Sequence, residues 1–498
     1  MNDGVQPTPL VDLTGATLGD LQPSMSPPRY DRSALRRSIV HIGVGGFHRA
    51  HLATYVDDLC RLGNTDWSIV GSGVTAADAA MADTLHAQDG LYTLIERGAS
   101  HTTTTVIGSI VEYLLAAPNH DDLIARLAQP DVRLVSLTIT EGGYPVDDHS
   151  GEFDPDLAAP AFDIVAAALD RRRREGIGPL TVLSCDNVIG NGTVARTSLL
   201  GVAQRRDPEL ARWIETEVAF PNSMVDRITP ATTDADREWL RSERSVVDRW
   251  PVVAEPFRQW VVEDAFVGAT PPFSEVGVLT TNDVEPYELL KLRMLNASHS
   301  CLAYLAALSG FEHVDEAMAS DEIRGFVGRF LRDEAMPALA DVPGVDVNAY
   351  ADELVHRFSN PAIGDQIGRL CLDGSSKFPK FLLPTVRSQL ERGGSVRFAG
   401  IALAGWCRYL QGSDDAGRTI DFSFDPRLDE LRECARAAEA DPRAFIGFAP
   451  VFGSDLASNE RFLGAFSDAL RALRDSGVRS TLDAALMQGT DAREPRDR

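Results

Sequence analysis

Hydrophobic and polar positions change their rhythm about halfway along this chain. In the first half, short unbroken apolar runs alternate with segments of helical spacing. SerIleValHisIle at 38–42 predicts a strand that closes in a Gly-rich turn. ArgAlaHisLeuAlaThrTyrValAspAspLeuCys at 49–60 has the spacing of an amphipathic helix. Further strands are predicted at 67–73, 132–140 and 180–185. The last two are mostly apolar, as suits parallel strands covered on both faces. Such alternation of strand and helix predicts a doubly wound α/β domain. Prolines at 271–272 and the ThrThrAsnAsp run at 280–283 suggest a junction. Beyond it the spacing is mostly helical, over 284–308, 321–334, 349–358, 380–392, 396–411, 427–438 and 460–475. The expected fold is therefore an α/β Rossmann-type domain over 1–281 and a mainly α-helical domain over 282–498. Residues 1–37, polar and proline-rich, predict an extended arm, and the last dozen residues a disordered tail.

Composition narrows the function classes. A length of 498 residues, 44% of them hydrophobic, is ample for two cores. The net charge of −25 argues against nucleic acid and anionic membranes as partners. No apolar run approaches the roughly 18 residues of a membrane span. The first residues lack the basic and apolar regions of a signal peptide. Six scattered cysteines without a CxxC pair fit a reducing cytoplasm. His41, His48 and His51 are the only histidine cluster. No carboxylate or thiol completes a metal site at ligand spacing, so a metal-independent protein is expected.

Three patterns carry candidate chemistry. Gly43, Gly45 and Gly46, between an apolar strand and a helix, would let backbone approach a pyrophosphate at a helix start. The pattern departs from G-x-G-x-x-G because His48 stands where the third glycine would be. A tight turn without a ligand is the alternative. Asp78, after the second strand, could hold the ribose hydroxyls of NAD, or could be a solvated or capping aspartate. Thr140-Glu141 and Asp186-Asn187 sit at carboxyl ends of predicted strands, where ligands bind in open α/β sheets, although Gly and Asx residues there also favour turns.

The third pattern is Lys291, Asn296 and His299. Lysine occurs only at 291, 377 and 380, and the rest of the 48 basic residues are arginine. A lysine kept in such a background is a candidate for a task arginine cannot do, namely losing its proton. At about 100° per residue the trio lies at about 0°, 140° and 80°, on one broad helix face. Leucines and Met294 surround that helix, which predicts a buried, desolvated lysine suited to general-base work. A snorkelling lysine with a packed histidine is the alternative reading. Glu288 precedes Lys291 by three residues and could relay protons or form an intrahelical ion pair.

These residues stand in motifs that resemble the mannitol dehydrogenase family of polyol-specific long-chain dehydrogenases, nearly end to end. The motifs are GlyGlyPheHisArgAlaHis at 45–51, ThrIleThrGluGlyGlyTyr at 138–144, SerCysAspAsn at 184–187 and PheProAsnSerMetValAspArgIleThrPro at 220–230. LysxxxxAsnxxHis at 291–299 and AspGlySerSerLysPheProLysPhe at 373–381 complete the set. The resemblance implies an NAD-dependent oxidoreductase that interconverts D-mannitol and D-fructose by hydride transfer at C2. It implies Lys291 as general base, Asn187 and Asn296 on the reacting oxygen, and His299 on substrate or base. Asp226 and Arg369 would shape the substrate pocket. The cofactor contacts implied are Ile42, Gly43, Val44, Gly45, Gly46, Phe47, His48, Arg49, Asp78, Thr140 and Glu141. Ala77 stands where relatives can carry a second acid.

Within the family, ThrGluGlyGlyTyr and SerSerLysPheProLysPhe resemble the mannitol 2-dehydrogenases. LysLeuArgMetLeuAsn and GluProPheArgGlnTrp are similar to the fructuronate reductases. Reduction of D-fructuronate and oxidation of D-arabinitol are the enzymatic alternatives. A non-catalytic NAD-binding regulator is the alternative of a different class, but it would have no need of a desolvated base. A small polyol or ketose is the expected partner, without nucleic acid or membrane.

Overall fold

The computed structural model describes residues 9–147 and 150–488. The chain divides into two compact units, Met1–Glu285 and Pro286–Arg498.

At the centre of the first unit is a five-stranded sheet, parallel throughout. Its order is Ile110–Leu115, Ile69–Gly73, Ile39–Ile42, Leu134–Leu137, Thr181–Ser184. The three strands Ile39–Ile42, Leu134–Leu137 and Thr181–Ser184 are buried at every position, which accounts for their mostly apolar sequences. One face packs under Leu52–Arg61, the other under Pro160–Glu175 and Asn191–Arg206, in two separate apolar cores. The first strand in sequence lies in the middle. The chain winds outward from it first to one edge and then to the other. The direction therefore switches between Ile39–Ile42 and Leu134–Leu137, and the crevice beyond their carboxyl ends is where such sheets bind ligands.

Three smaller sheets complete this unit. Val252–Ala254, Tyr92–Arg97, Thr102–Ile107 and Met25–Ser26 form one. Ser223–Asp226, Gln259–Glu263 and Leu279–Thr281 form another, in which Asp226 lies opposite Gln259. The extended arm expected over 1–37 is corrected from residue 9 onward. Val11–Asp12 pairs in parallel with Val246–Val247, Met25–Ser26 pairs with Thr102–Ile107, and Leu13 and Met25 are buried. Each partner lies at least 75 residues away in sequence, so local composition carried no sign of it. Residues 1–8 of the arm, and 489–498 of the expected tail, lie outside the described residues.

The second unit is helical, as its spacing predicts. Its core packs Ala297–Leu308 against Arg397–Leu410, and the latter against Glu460–Met487. Trp406, Tyr304 and Phe378 meet at ring separations of 4.7 to 6.0 Å. Among the described residues no helix is long and apolar enough to cross a membrane.

Candidate active site

The Gly-rich turn sits at the switch point, and each glycine has its own reason to be there. Gly43 has φ +97°, and a Cβ on it would lie 2.1 Å from the carbonyl oxygen of Thr138. Only glycine fits so close to the neighbouring strand. Thr138 Oγ donates to the Gly43 carbonyl at 2.6 Å and tightens that approach. Gly45 has an ordinary φ of −111°, and a Cβ there would meet only the Gly43 oxygen at 3.9 Å. Beside Gly45 there is thus room that any side chain would fill, at the start of the helix Gly46–Ala50, where the first N–H groups have no intrahelical acceptor. This is a cradle of the kind a pyrophosphate needs.

His48 replaces the third glycine by stacking. Its ring lies 3.4 Å from that of His41, at 13° between planes, so two flat imidazoles provide the close helix–strand packing. His41 is held by Ser136 at 2.8 Å and Thr138 at 2.9 Å. Burial pushes His41 and His51 down to about 3 and His48 well below its ordinary value, so all three are neutral. The structure narrows the expectation for His48 and Arg49. Both side chains are buried, and the Arg49 guanidinium bonds the Trp250 carbonyl and lies 5.2 Å from the centre of the Tyr92 ring. Only their backbone is left for a cofactor contact. Asp78 closes a capping box, its carboxylate accepting from the Thr75 N–H at 2.9 Å and hydroxyl at 2.8 Å. It remains half-exposed at the carboxyl end of Ile69–Gly73.

The next strand end is shaped by Asp186, which lay in a candidate strand-end motif but carried no role of its own there. Thr140 has φ +62°, unusual for a non-glycine residue. Asp186 holds it there, accepting from the N–H groups of Ile139 at 3.0 Å and Thr140 at 2.9 Å and from the Tyr144 hydroxyl at 2.7 Å. Burial raises the Asp186 carboxyl, partly offset by these donors. Glu141 and Asn187 flank this clamp and are exposed. The presence of Asp186 beside Asn187 in a strand-end motif was the available signal, but turn chemistry explained it equally well.

Family models match both units, the mannitol dehydrogenase Rossmann domain over residues 37–275 and the mannitol dehydrogenase C-terminal domain over 283–474. The chain belongs to the mannitol dehydrogenase family. It is 44% identical over 474 residues to a mannitol 2-dehydrogenase of Aspergillus fumigatus, covering 91% of this chain and 94% of the relative. A mannitol 2-dehydrogenase of Phaeosphaeria nodorum is 42% identical over 486 residues, covering 94% and 85%. Among solved structures, the chain is similar to the Pseudomonas fluorescens mannitol 2-dehydrogenase ternary complex with NAD and D-mannitol. That match has 42% identity, TM-score 0.87, and 96% and 100% of the two chains covered. A substrate-free D-sorbitol dehydrogenase matches with 36% identity, TM-score 0.87, and 94% and 100% covered.

In this member of the mannitol dehydrogenase family, the helix bearing the lysine differs from its sequence expectation in two ways. Lys291–Asn296 is a turn of π-helix set between Glu285–Leu290 and Ala297–Leu308. Bonding from i to i+5 places residues five apart on successive turns, so Lys291 and Asn296 lie closer to one face than α-helical spacing allows. Lys291 is also half-buried rather than buried. Leu292, Met294 and Leu295 face the core, while Lys291, Arg293 and Asn296 keep partial exposure. His299 and Glu288 are buried, and His299 stacks on Phe358 with ring centres 4.0 Å apart. Arg369 is half-exposed, in a bidentate ion pair with Asp365. Asp226 is buried at the end of Ser223–Asp226. Among the described residues no group of three or more His, Cys, Asp or Glu is arranged to hold a metal ion.

Proposed function

We propose that this chain interconverts D-mannitol and D-fructose with NAD, by hydride transfer at C2 and with Lys291 as general base. The observation that carries the reading is its near-full-length likeness to the Pseudomonas fluorescens enzyme bound to NAD and D-mannitol, at 42% identity. The cradle beside Gly45 and the half-exposed carboxylate of Asp78 fit a dinucleotide. Backbone of Ile42 to Arg49 would hold the pyrophosphate, Asp78 the adenine ribose, and Thr140 and Glu141 the adjoining part of the cofactor. The nicotinamide, when bound, supplies the hydride acceptor or donor.

The chain's own residues do the rest. In the oxidation direction, neutral Lys291 takes the proton of the C2 hydroxyl, and in reduction it returns that proton. The amides of Asn187 and Asn296 donate to the same oxygen and stabilise its developing charge. His299 contacts the substrate or orients the lysine, its ring fixed by Phe358. Glu288, buried three residues before Lys291, passes the proton toward solvent. Asp226 and Arg369 bind the remaining hydroxyls. A cytoplasmic location accompanies this reading.

The test is NADH consumption with D-fructose, D-fructuronate and D-xylulose in parallel. Fructose is expected to be the preferred substrate. A kcat/KM for fructuronate more than about tenfold above that for fructose, about 1.4 kcal/mol in transition-state binding, overturns the substrate assignment.

A further inference from the structure

Arg369 would be the obvious receptor for a sugar acid, since a free guanidinium binds a carboxylate through two parallel bonds. In this protein that fork is already occupied. Asp365 accepts from Arg369 Nε at 2.8 Å and from Nη2 at 2.6 Å. The Asp365 side chain is buried, whereas that of Arg369 is 49% exposed. The backbone on either side is pinned. Val314 N–H donates to the Asp365 carbonyl at 2.9 Å, and Ile367 N–H donates to that of Glu312 at 2.9 Å. Asp365 is therefore a fixed part of the fold rather than a mobile surface partner. Burial raises its carboxyl, but the bonds and charge of Arg369 and the charge of His299 outweigh this and hold it below its ordinary value.

We propose that Asp365 is a specificity-determining residue, which occupies the fork of Arg369 so that the site accepts an uncharged polyol or ketose and discriminates against sugar acids. The inference rests on the reading above that Arg369 faces substrate. An Asp365–Arg369 pair has no net charge. An incoming carboxylate must either displace Asp365 from a two-bond ion pair or lie beside it, and like charges at that range repel. A hydroxyl meets neither penalty. It can accept from an unused guanidinium N–H or donate to a free lone pair of Asp365. Lys377, which donates to the Leu370 carbonyl at 3.2 Å, is a neighbouring cation that stays constant in the comparison.

The experiment uses the full chain carrying Asp365→Asn, which keeps the shape and removes the charge. With NADH in excess, kcat/KM is measured for D-fructose and D-fructuronate. The ratio of fructuronate to fructose is expected to rise by more than about tenfold, because the fork is released for a carboxylate. Arg369→Gln provides the opposite perturbation, leaving Asp365 charged and unpaired, and should lower the ratio. It also decides the matter if Asp365→Asn does not fold. A wild-type chain that prefers fructose, with a ratio unchanged in the variant that folds, overturns the role of Asp365 alone. A wild-type chain that prefers fructuronate, or reduces neither sugar, overturns the proposed function as well. A loss of activity equal for both substrates marks Asp365 as merely structural and also overturns the proposal.

Discussion

Gly43→Ala and Gly45→Ala, two residues apart in one turn, should fail in opposite ways. At Gly43 the added methyl is asked to adopt φ +97° and to sit 2.1 Å from the Thr138 oxygen and 2.8 Å from its carbonyl carbon. The left-handed backbone costs about 1 kcal/mol for a residue with a Cβ. The overlap is roughly 1.4 Å short of ordinary contact, and it is with backbone, so no side chain can swing away. Relief requires the turn to part from the strand end, at about 1–3 kcal/mol and with loss of the Thr138–Gly43 hydrogen bond. The sum is roughly 2–4 kcal/mol, which for a unit of this size lowers the melting temperature by roughly 3–7 °C. At Gly45 the backbone is ordinary and the nearest atom is 3.9 Å away, so the melting temperature should move by less than about 3 °C. The methyl instead fills the cradle, and NADH affinity should fall at least about tenfold. The assay is thermal unfolding of both variants, followed by NADH titration by fluorescence. A Gly43→Ala chain that melts with the wild type, or a Gly45→Ala chain that binds NADH normally, refutes the reasoning.

Other expectations follow from the same geometry. Lys291→Ala should bind NADH normally but turn over about 10²–10⁴-fold more slowly, as expected for loss of a general base, and near-normal turnover would remove it from that role. Asn187→Ala and Asn296→Ala should each cut turnover by about 10²–10³-fold, and together by less than the product, because both amides are proposed to hold one oxygen; unchanged turnover in either single variant breaks the pairing. His51, pushed down to about 3 by burial, binds its proton far more weakly in the folded chain than its ordinary 6.5. Its contribution is complete above about pH 6.5 and is lost as pH falls, at up to about 1.4 kcal/mol per pH unit. His51→Gln should therefore flatten the fall in denaturation midpoint between pH 6.5 and 5, and an unaltered slope would show that His51 is not part of that acid sensitivity. Activity should survive exhaustive EDTA treatment, and recovery only on adding zinc would overturn a lysine-based mechanism.

What the sequence by itself determined is mostly what depends on near neighbours. The strands Ile39–Ile42, Leu134–Leu137 and Thr181–Ser184 were legible because a strand covered on both faces is mostly apolar. The Gly-rich turn and the spacing of Lys291, Asn296 and His299 were legible because glycine and lysine are rarely interchangeable with their substitutes. The tertiary structure alone decided whatever depends on distant partners. It paired Val11–Asp12 with Val246–Val247 and folded an arm that composition read as extended. It seated His48 on His41, where a missing glycine had looked like a defect in the motif. It converted Lys291–Asn296 into a π-turn, which residue spacing at a fixed period cannot reveal. It also chose, from 73 acidic residues, the buried Asp186 that bends Thr140 and the buried Asp365 that holds Arg369. A carboxylate's role is set by which donors reach it and how far it is removed from water, and both are properties of the folded chain.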